Sequence, residues 1–193
     1  MKRVLAADAS TTTIGLSILD YDPFSEQMIL VHSEVYKPNK KDGVLEMLLE
    51  ARKYILDLAD KYSIEEFAIE DYVRFMKGQS GASTVIPLAI LNMTLRLAFF
   101  DKNIPVFAIN VLKIRHSIKL SKELPKKEEI PELVAKILQL PTFPYIYKTA
   151  RKTKEQKIAE ESYDMADAIA VSISHAKIQN GTSKPSKGSK KKK

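Results

Sequence analysis

Four carboxylates stand where chemistry could be built. Asp8 closes a short apolar run, Val4–Ala7, and Glu70 closes another, Phe67-Ala68-Ile69. Asp164 and Asp167 lie three residues apart in SYDMADAIAVSISHA, a spacing that puts both on one face of a helix. Ala166, Ala168, Ala170 and Ser172 surround them, so that helix can approach a sheet closely. A carboxylate at the end of an apolar strand carries a desolvation cost unless it is paired, and divalent cations are the usual partner of clustered carboxylates. Hard oxygen ligands favour Mg²⁺ or Mn²⁺ over zinc. Acids from three distant segments suit two Mg²⁺ ions about 3.5–4 Å apart, one activating water and the other stabilising the leaving oxygen of a phosphodiester. Turns and solvated helix faces also collect acids, and convergence of these four is not visible in a linear sequence.

The elements that must position them can be read from periodicity. Val4–Ala7, the alternating stretch 14–19 and the run Met28–Tyr36 predict an antiparallel three-strand meander, with turn chemistry at Asp20–Ser25. Leu45, Leu48, Leu49, Ile55, Leu56 and Ala59 predict a helix over Gly43–Tyr62. A short buried strand ends at Glu70, a loop covers Asp71–Gly81, and an apolar helix covers Thr84–Phe100 with Pro87 in its first turn. A fifth strand is expected at Ile104–Ile109, then basic loop material, a helix near Glu128–Leu140, an irregular stretch Pro141–Thr153, and a last helix from about Glu155 to Ala176. Strands mixed with helices in this order predict an α/β sheet with helices on its faces. The domain expected is 1–179. Residues 180–193 have no core-forming side chains and are expected to be a disordered Lys-rich tail: a nonspecific DNA-binding end, a solubilising end or an artificial extension.

Composition narrows the classes. With 193 residues, 45% hydrophobic and 28% charged, the chain has the balance of one globular domain. It has no cysteine, which excludes a disulfide framework, a thiol nucleophile and any Cys-ligated metal. No apolar run reaches the roughly 20 residues that span a bilayer, and the early acid in MKRVLAAD does not suit a signal peptide, so a cytoplasmic protein with no membrane partner is expected. The net charge of +7 is uneven: residues 110–157 hold 12 Lys+Arg against 5 Asp+Glu, a basic band between acidic segments. Such a band suits a polyanion; a solvated lysine-rich surface has the same composition.

VLAADASTTTIGLSIL, FAIEDYVRF and SYDMADAIAVSISHA resemble the RuvC family of Holliday-junction resolvases, in the RNase H-like (retroviral integrase-like) superfamily. Asp8 on the first strand, Gly15 seven residues later, Glu70 ending the fourth strand and the DxxDA pair Asp164 and Asp167-Ala168 follow that family's order across roughly residues 3–177. Ala9-Ser10 stands where the family has Pro-Gly, and the link 140–159 is longer than in compact bacterial members. These departures suit a divergent member of phage or organellar type.

The resemblance implies an RNase H-like mixed five-stranded sheet flanked by helices on both faces. It implies a Mg²⁺-dependent endodeoxyribonuclease, a crossover junction resolvase with two ions per site, Mn²⁺ substituting and no organic cofactor. Asp8, Glu70, Asp164 and Asp167 would be the catalytic metal ligands. Lys113 would be a further catalytic residue, meeting the scissile phosphate, and Lys127 would match a second basic position, with Lys122 and Lys126 as alternatives. Tyr72 and Phe75, flanked by Arg74 and Lys77, are candidates for an aromatic wedge between bases at the junction centre. Arg115, Arg151 and Lys152 would add DNA contacts. Tyr145 and Tyr147 beside Lys148 form a further aromatic-basic patch that suits DNA or a dimer arm. Branched DNA, chiefly four-way junctions, and a second copy of the chain are the implied partners; Thr84–Phe100 could be the dimer helix or core. An RNase H-like nuclease acting on forks, flaps or RNA–DNA hybrids is the alternative. The sugar-kinase/actin-like ATPases also place an Asp before small residues, but six glycines and 193 residues are too few for that fold. A catalytically silent DNA-binding module is the third rival.

Overall fold

The alternation of Val4, Leu5, Ala6 and Ala7 buries both faces of the first strand, so it must sit inside a sheet covered on two sides. In the computed structural model, which describes residues 1–10, 12–39, 43–71, 82–149 and 155–181, it does. Strands β1 (Lys2–Ala9), β2 (Ile14–Tyr21) and β3 (Met28–Tyr36) form the expected antiparallel meander. Strand β4 (Glu66–Glu70) pairs parallel with β1, and β5 (Val106–Ile109) pairs parallel with β4. The order is β3-β2-β1-β4-β5, a mixed five-stranded sheet.

Helices α1 (Val44–Tyr62) and α2 (Ala82–Asp101) cover one face. There Leu5, Ala7, Leu16, Phe67 and Ile69 pack against Leu48, Ile55, Leu91, Leu95 and Phe99. The other face carries Val4, Ala6, Leu19 and Ala68 under α3 (Val111–Ile118), α4 (Ile130–Ile137) and α5 (Glu161–Gln179). Helix α5 is buried along most of its length and lies across β1, β2 and β4. Among the described residues no helix is long and apolar enough to cross a membrane.

Two stretches differ from the expectation. The segment after β5 is a helix, not a basic loop: the Asn110 side chain caps it by accepting from the Leu112 N–H, and Ile114 and Ile118, four apart, are buried. The stretch read as irregular followed by helix contains a small antiparallel pair, β6 (Tyr147–Thr149) and β7 (Gln156–Ile158), and α5 starts only at Glu161. This pair buries no side chain of its own, so no hydrophobic period announces it.

Candidate active site

Strand alternation aims the first two acids. Asp8 follows Val4 and Ala6 on the face that α5 covers, and Glu70 follows Glu66 and Ala68 on the same face. Asp71, one residue on, points the other way and pairs with Arg96 of α2 at 2.6 Å. The amide of Asn92, also from α2, donates to the Glu70 carbonyl at 2.9 Å and fixes the strand end.

Helix α5 brings the other pair. Gly15 stands directly opposite Asp8 in the β1–β2 ladder, and α5 passes over it so closely that a Cβ there would lie 2.0 Å from the Asp164 carbonyl oxygen. Only glycine permits that approach. Ser17, two residues on, donates its hydroxyl to the Ala168 carbonyl at 2.9 Å, and Thr13 donates to Asp164 Oδ2 at 2.8 Å. The β1–β2 turn is itself tied by Ser10, whose hydroxyl accepts from the Thr12 and Thr13 N–H groups. Backbone and side chain of Asp164 are thus both fixed by the meander.

The four acids share one electrostatic environment. Burial pushes the Asp8 carboxyl well above the usual range, and Glu70, Asp167 and Asp164 push it further. Glu70 is pushed up to about 7, first by burial and then by Asp167, against the pull of Arg115 and Lys127. Asp167 is raised by burial, although Lys127 and Arg115 oppose the shift. Lys127 Nζ lies 3.5 Å from Asp164 Oδ1 and 3.7 Å from Asp167 Oδ2; Arg115 Nη2 lies 3.7 Å from Asp167 Oδ1. Burial would lower the Lys127 ammonium, but Asp167, Asp164 and Asp8 raise it on balance. Among the described residues no three His, Asp or Glu side chains already stand in a common metal-ligating set. The donor chemistry still fits a divalent cation: oxygen ligands only, desolvated, mutually repelling and on rigid elements.

The basic residues separate. Arg115 and Lys127 reach the acids. Lys113 is exposed and lines a shallow cavity with Phe107, His175 and Ile178; it makes no ion pair with the four acids. Two residues apart on a helix, Lys113 and Arg115 face roughly opposite ways, a consequence of α3 that a loop reading could not contain. Lys122 and Lys126 are exposed before α4. Tyr72, Arg74, Phe75, Lys77, Arg151 and Lys152 lie outside the described residues.

Sequence reasoning missed Thr13 and the tie on the start of α5. Lys37 and Lys148 both donate to Glu161 Oε1, holding its carboxyl down at about 2 and clasping β6 to β3 and α5. Beside this clasp a cleft of about 880 Å³ opens between the β1–β2 turn, the start of α5 and the β6–β7 pair, with Lys127 and Asp164 on its wall. The SerThrThrThr run was a visible signal for the turn; nothing in the sequence announced the pairing of Glu161.

No protein-family model matches the chain. It is 28% identical over 173 residues to the crossover junction endodeoxyribonuclease RuvC of Fusobacterium nucleatum subsp. nucleatum, covering 90% of this chain and 79% of that protein. It is 24% identical over 177 residues to the RuvC of Ehrlichia canis, covering 92% and 97%. Among solved structures, Thermus thermophilus RuvC in complex with a Holliday junction substrate superposes with a TM-score of 0.69 at 20% identity, covering 95% of this chain and 99% of that one. The yeast mitochondrial Holliday junction resolvase gives 0.65 at 13% identity, covering 92% and 79%. The fowlpox virus resolvase, in complex with its substrate Holliday junction DNA, gives 0.54 at 14% identity, covering 91% and 97%. Over nine tenths of its length the chain therefore resembles the RuvC crossover junction endodeoxyribonucleases in sequence, and it has their fold.

Proposed function

We propose that this protein is a Mg²⁺-dependent endodeoxyribonuclease that resolves four-way DNA junctions as a homodimer. The reading is carried by β1, β4 and α5 converging so that burial and neighbouring like charge raise the carboxyls of Asp8, Glu70 and Asp167, with Asp164 beside them on α5 and sharing Lys127 with Asp167. Such a cluster is stable in its ionised form only beside a cation. Asp8, Glu70, Asp164 and Asp167 would hold two Mg²⁺ ions, for which Mn²⁺ can substitute, and bound ions of this kind supply an activated water and neutralise a leaving oxygen.

The chain's own groups do the rest. Thr13 fixes one Asp164 oxygen and leaves the other turned to the cluster. Arg115 and Lys127 offset charge that builds on a phosphate held against the acids. The adjoining cleft has room for the DNA strand on one side of that phosphate. Lys113, Lys122 and Lys126 would track the sugar-phosphate backbone farther out, and the segments carrying Tyr72, Arg74, Phe75, Lys77, Arg151 and Lys152 would add the wedge and arm contacts.

Dimerisation is supported by α2. Ile86, Ile90, Met93, Leu97 and Phe100 are exposed at alternating spacings of four and three, so they form one apolar stripe, with Phe100 73% exposed. Two copies joined along this stripe would present two active sites with two-fold symmetry, as a four-way junction does. The test is cleavage of labelled four-way junction, fork, flap and RNA–DNA hybrid, with and without Mg²⁺. The expected result is paired nicks in junction strands of like polarity, leaving 5′-phosphate and 3′-hydroxyl ends; stronger cutting of forks, flaps or hybrids would favour the other nuclease reading. Asp8→Asn is expected to abolish cutting while junction binding, measured by gel shift, stays intact or tightens.

A further inference from the structure

Lys127 occupies an unusual position for a surface lysine. It sits in the 3₁₀ turn Lys127–Glu129 ahead of α4, a turn held by the Lys126 N–H donating to Glu129 Oε2 at 2.7 Å. Its ammonium lies 3.5 Å from Asp164 and 3.7 Å from Asp167, longer than the roughly 2.7–2.9 Å of a close charge-assisted bond. It therefore sits between the two carboxylates and is shared by them. Arg115 differs. It is pinned by donation to the Pro125 carbonyl at 3.1 Å and touches Asp167 alone.

Lys127 also has somewhere to go. Its side chain is 51% exposed, on a flexible four-carbon stem, and it lines the cleft of about 880 Å³ beside Asp164. A divalent ion held by Asp164 and Asp167 and an ammonium at 3.5–3.7 Å from the same oxygens would repel strongly in a partly desolvated site. Both cannot hold that place.

We propose that Lys127 is a stand-in for the metal: it neutralises Asp164 and Asp167 until a divalent ion binds, then withdraws into the adjoining cleft, where its charge faces the phosphate to be cut. This rests on the nuclease reading above and adds an order of events to it. The lysine and the ion compete for the same carboxylates in the free protein, and they act together once DNA is present. Loss of the lysine therefore has opposite effects on metal affinity and on cleavage. A lysine that only contacts DNA would leave metal affinity unchanged, and one that only holds the acids together would weaken it when removed.

The test is Mn²⁺ binding to the full chain without DNA, followed by electron paramagnetic resonance. Lys127→Met should bind Mn²⁺ about tenfold tighter than the unaltered protein, yet lose junction cleavage at saturating Mn²⁺. Lys136→Met removes the same charge from the exposed side of α4 and should leave Mn²⁺ affinity unchanged. A second measurement needs no variant: amine-reactive labelling of Lys127, read by mass spectrometry, should rise severalfold when Mg²⁺ is added. Unchanged or weaker Mn²⁺ affinity in Lys127→Met, or labelling that ignores Mg²⁺, overturns the stand-in role while leaving the nuclease reading in place. Unaltered protein that neither binds Mn²⁺ nor cuts DNA overturns both.

Discussion

Glu66 and Glu70 lie four residues apart on one strand and point to the same face, yet their carboxyls are driven in opposite directions. Burial would raise Glu66, but it accepts hydrogen bonds from His175 at 2.6 Å, Lys2 at 2.6 Å and Tyr21 at 2.5 Å, which bring it down to about 2. Among the described residues Glu70 has no such donors, and burial and Asp167 raise it to about 7. The two make opposite contributions to stability. The Glu70 contribution is fully present below its ordinary value of 4.5 and is lost as pH rises through about 7, costing of order 3 kcal/mol. The Glu66 contribution is present above 4.5 and is lost, by a similar order of magnitude, as pH falls toward about 2. Urea unfolding in the presence of a chelator should therefore give a stability maximum that falls off on both sides. Added Mg²⁺ should flatten the alkaline limb alone, because only that limb comes from an acid of the proposed metal site.

At the scale of elements, one glycine decides how near the last helix comes. Gly15→Ala would put a methyl group 2.0 Å from the Asp164 carbonyl, so α5 must shift or β2 must bend. Thermal or urea unfolding should show a loss of about 3 kcal/mol or more, because the clash is with the backbone of α5 and no side chain can swing away to absorb it. Cleavage should fall by about 100-fold, since misplacing a catalytic group by about an ångström is enough for that. Much of this was legible in the sequence. Alternation along β1 and β4 aims Asp8 and Glu70 at a common face, and the i, i+3 spacing does the same for Asp164 and Asp167. What was not legible is pairing that depends on tertiary approach. Thr13 meets Asp164 across 151 positions of sequence, and Lys37, Lys148 and Glu161 meet from three segments. The turn of α3 that separates Lys113 from Arg115 was hidden because its eight residues carry only two buried apolar side chains.

At the scale of the whole molecule, the apolar stripe of α2 is the surface to break. Leu97 is 53% exposed within it, so Leu97→Glu costs the monomer little and places two like charges together in a symmetric contact. Sedimentation should show a dimer converted to monomer with unchanged monomer unfolding, and junction cutting should drop from paired nicks to slow, unpaired ones. The sheet has a further property. Two of the four acids lie on β1 and β4, in the first part of the chain, and the other two ride on α5, the last described element, which packs over β1, β2 and β4. A polypeptide that ends before Glu161, whether still on the ribosome or cut short by a stop codon, would carry only two of the four acids of the proposed metal centre. The proposed nuclease would thus be unable to cut DNA until its last helix had been made.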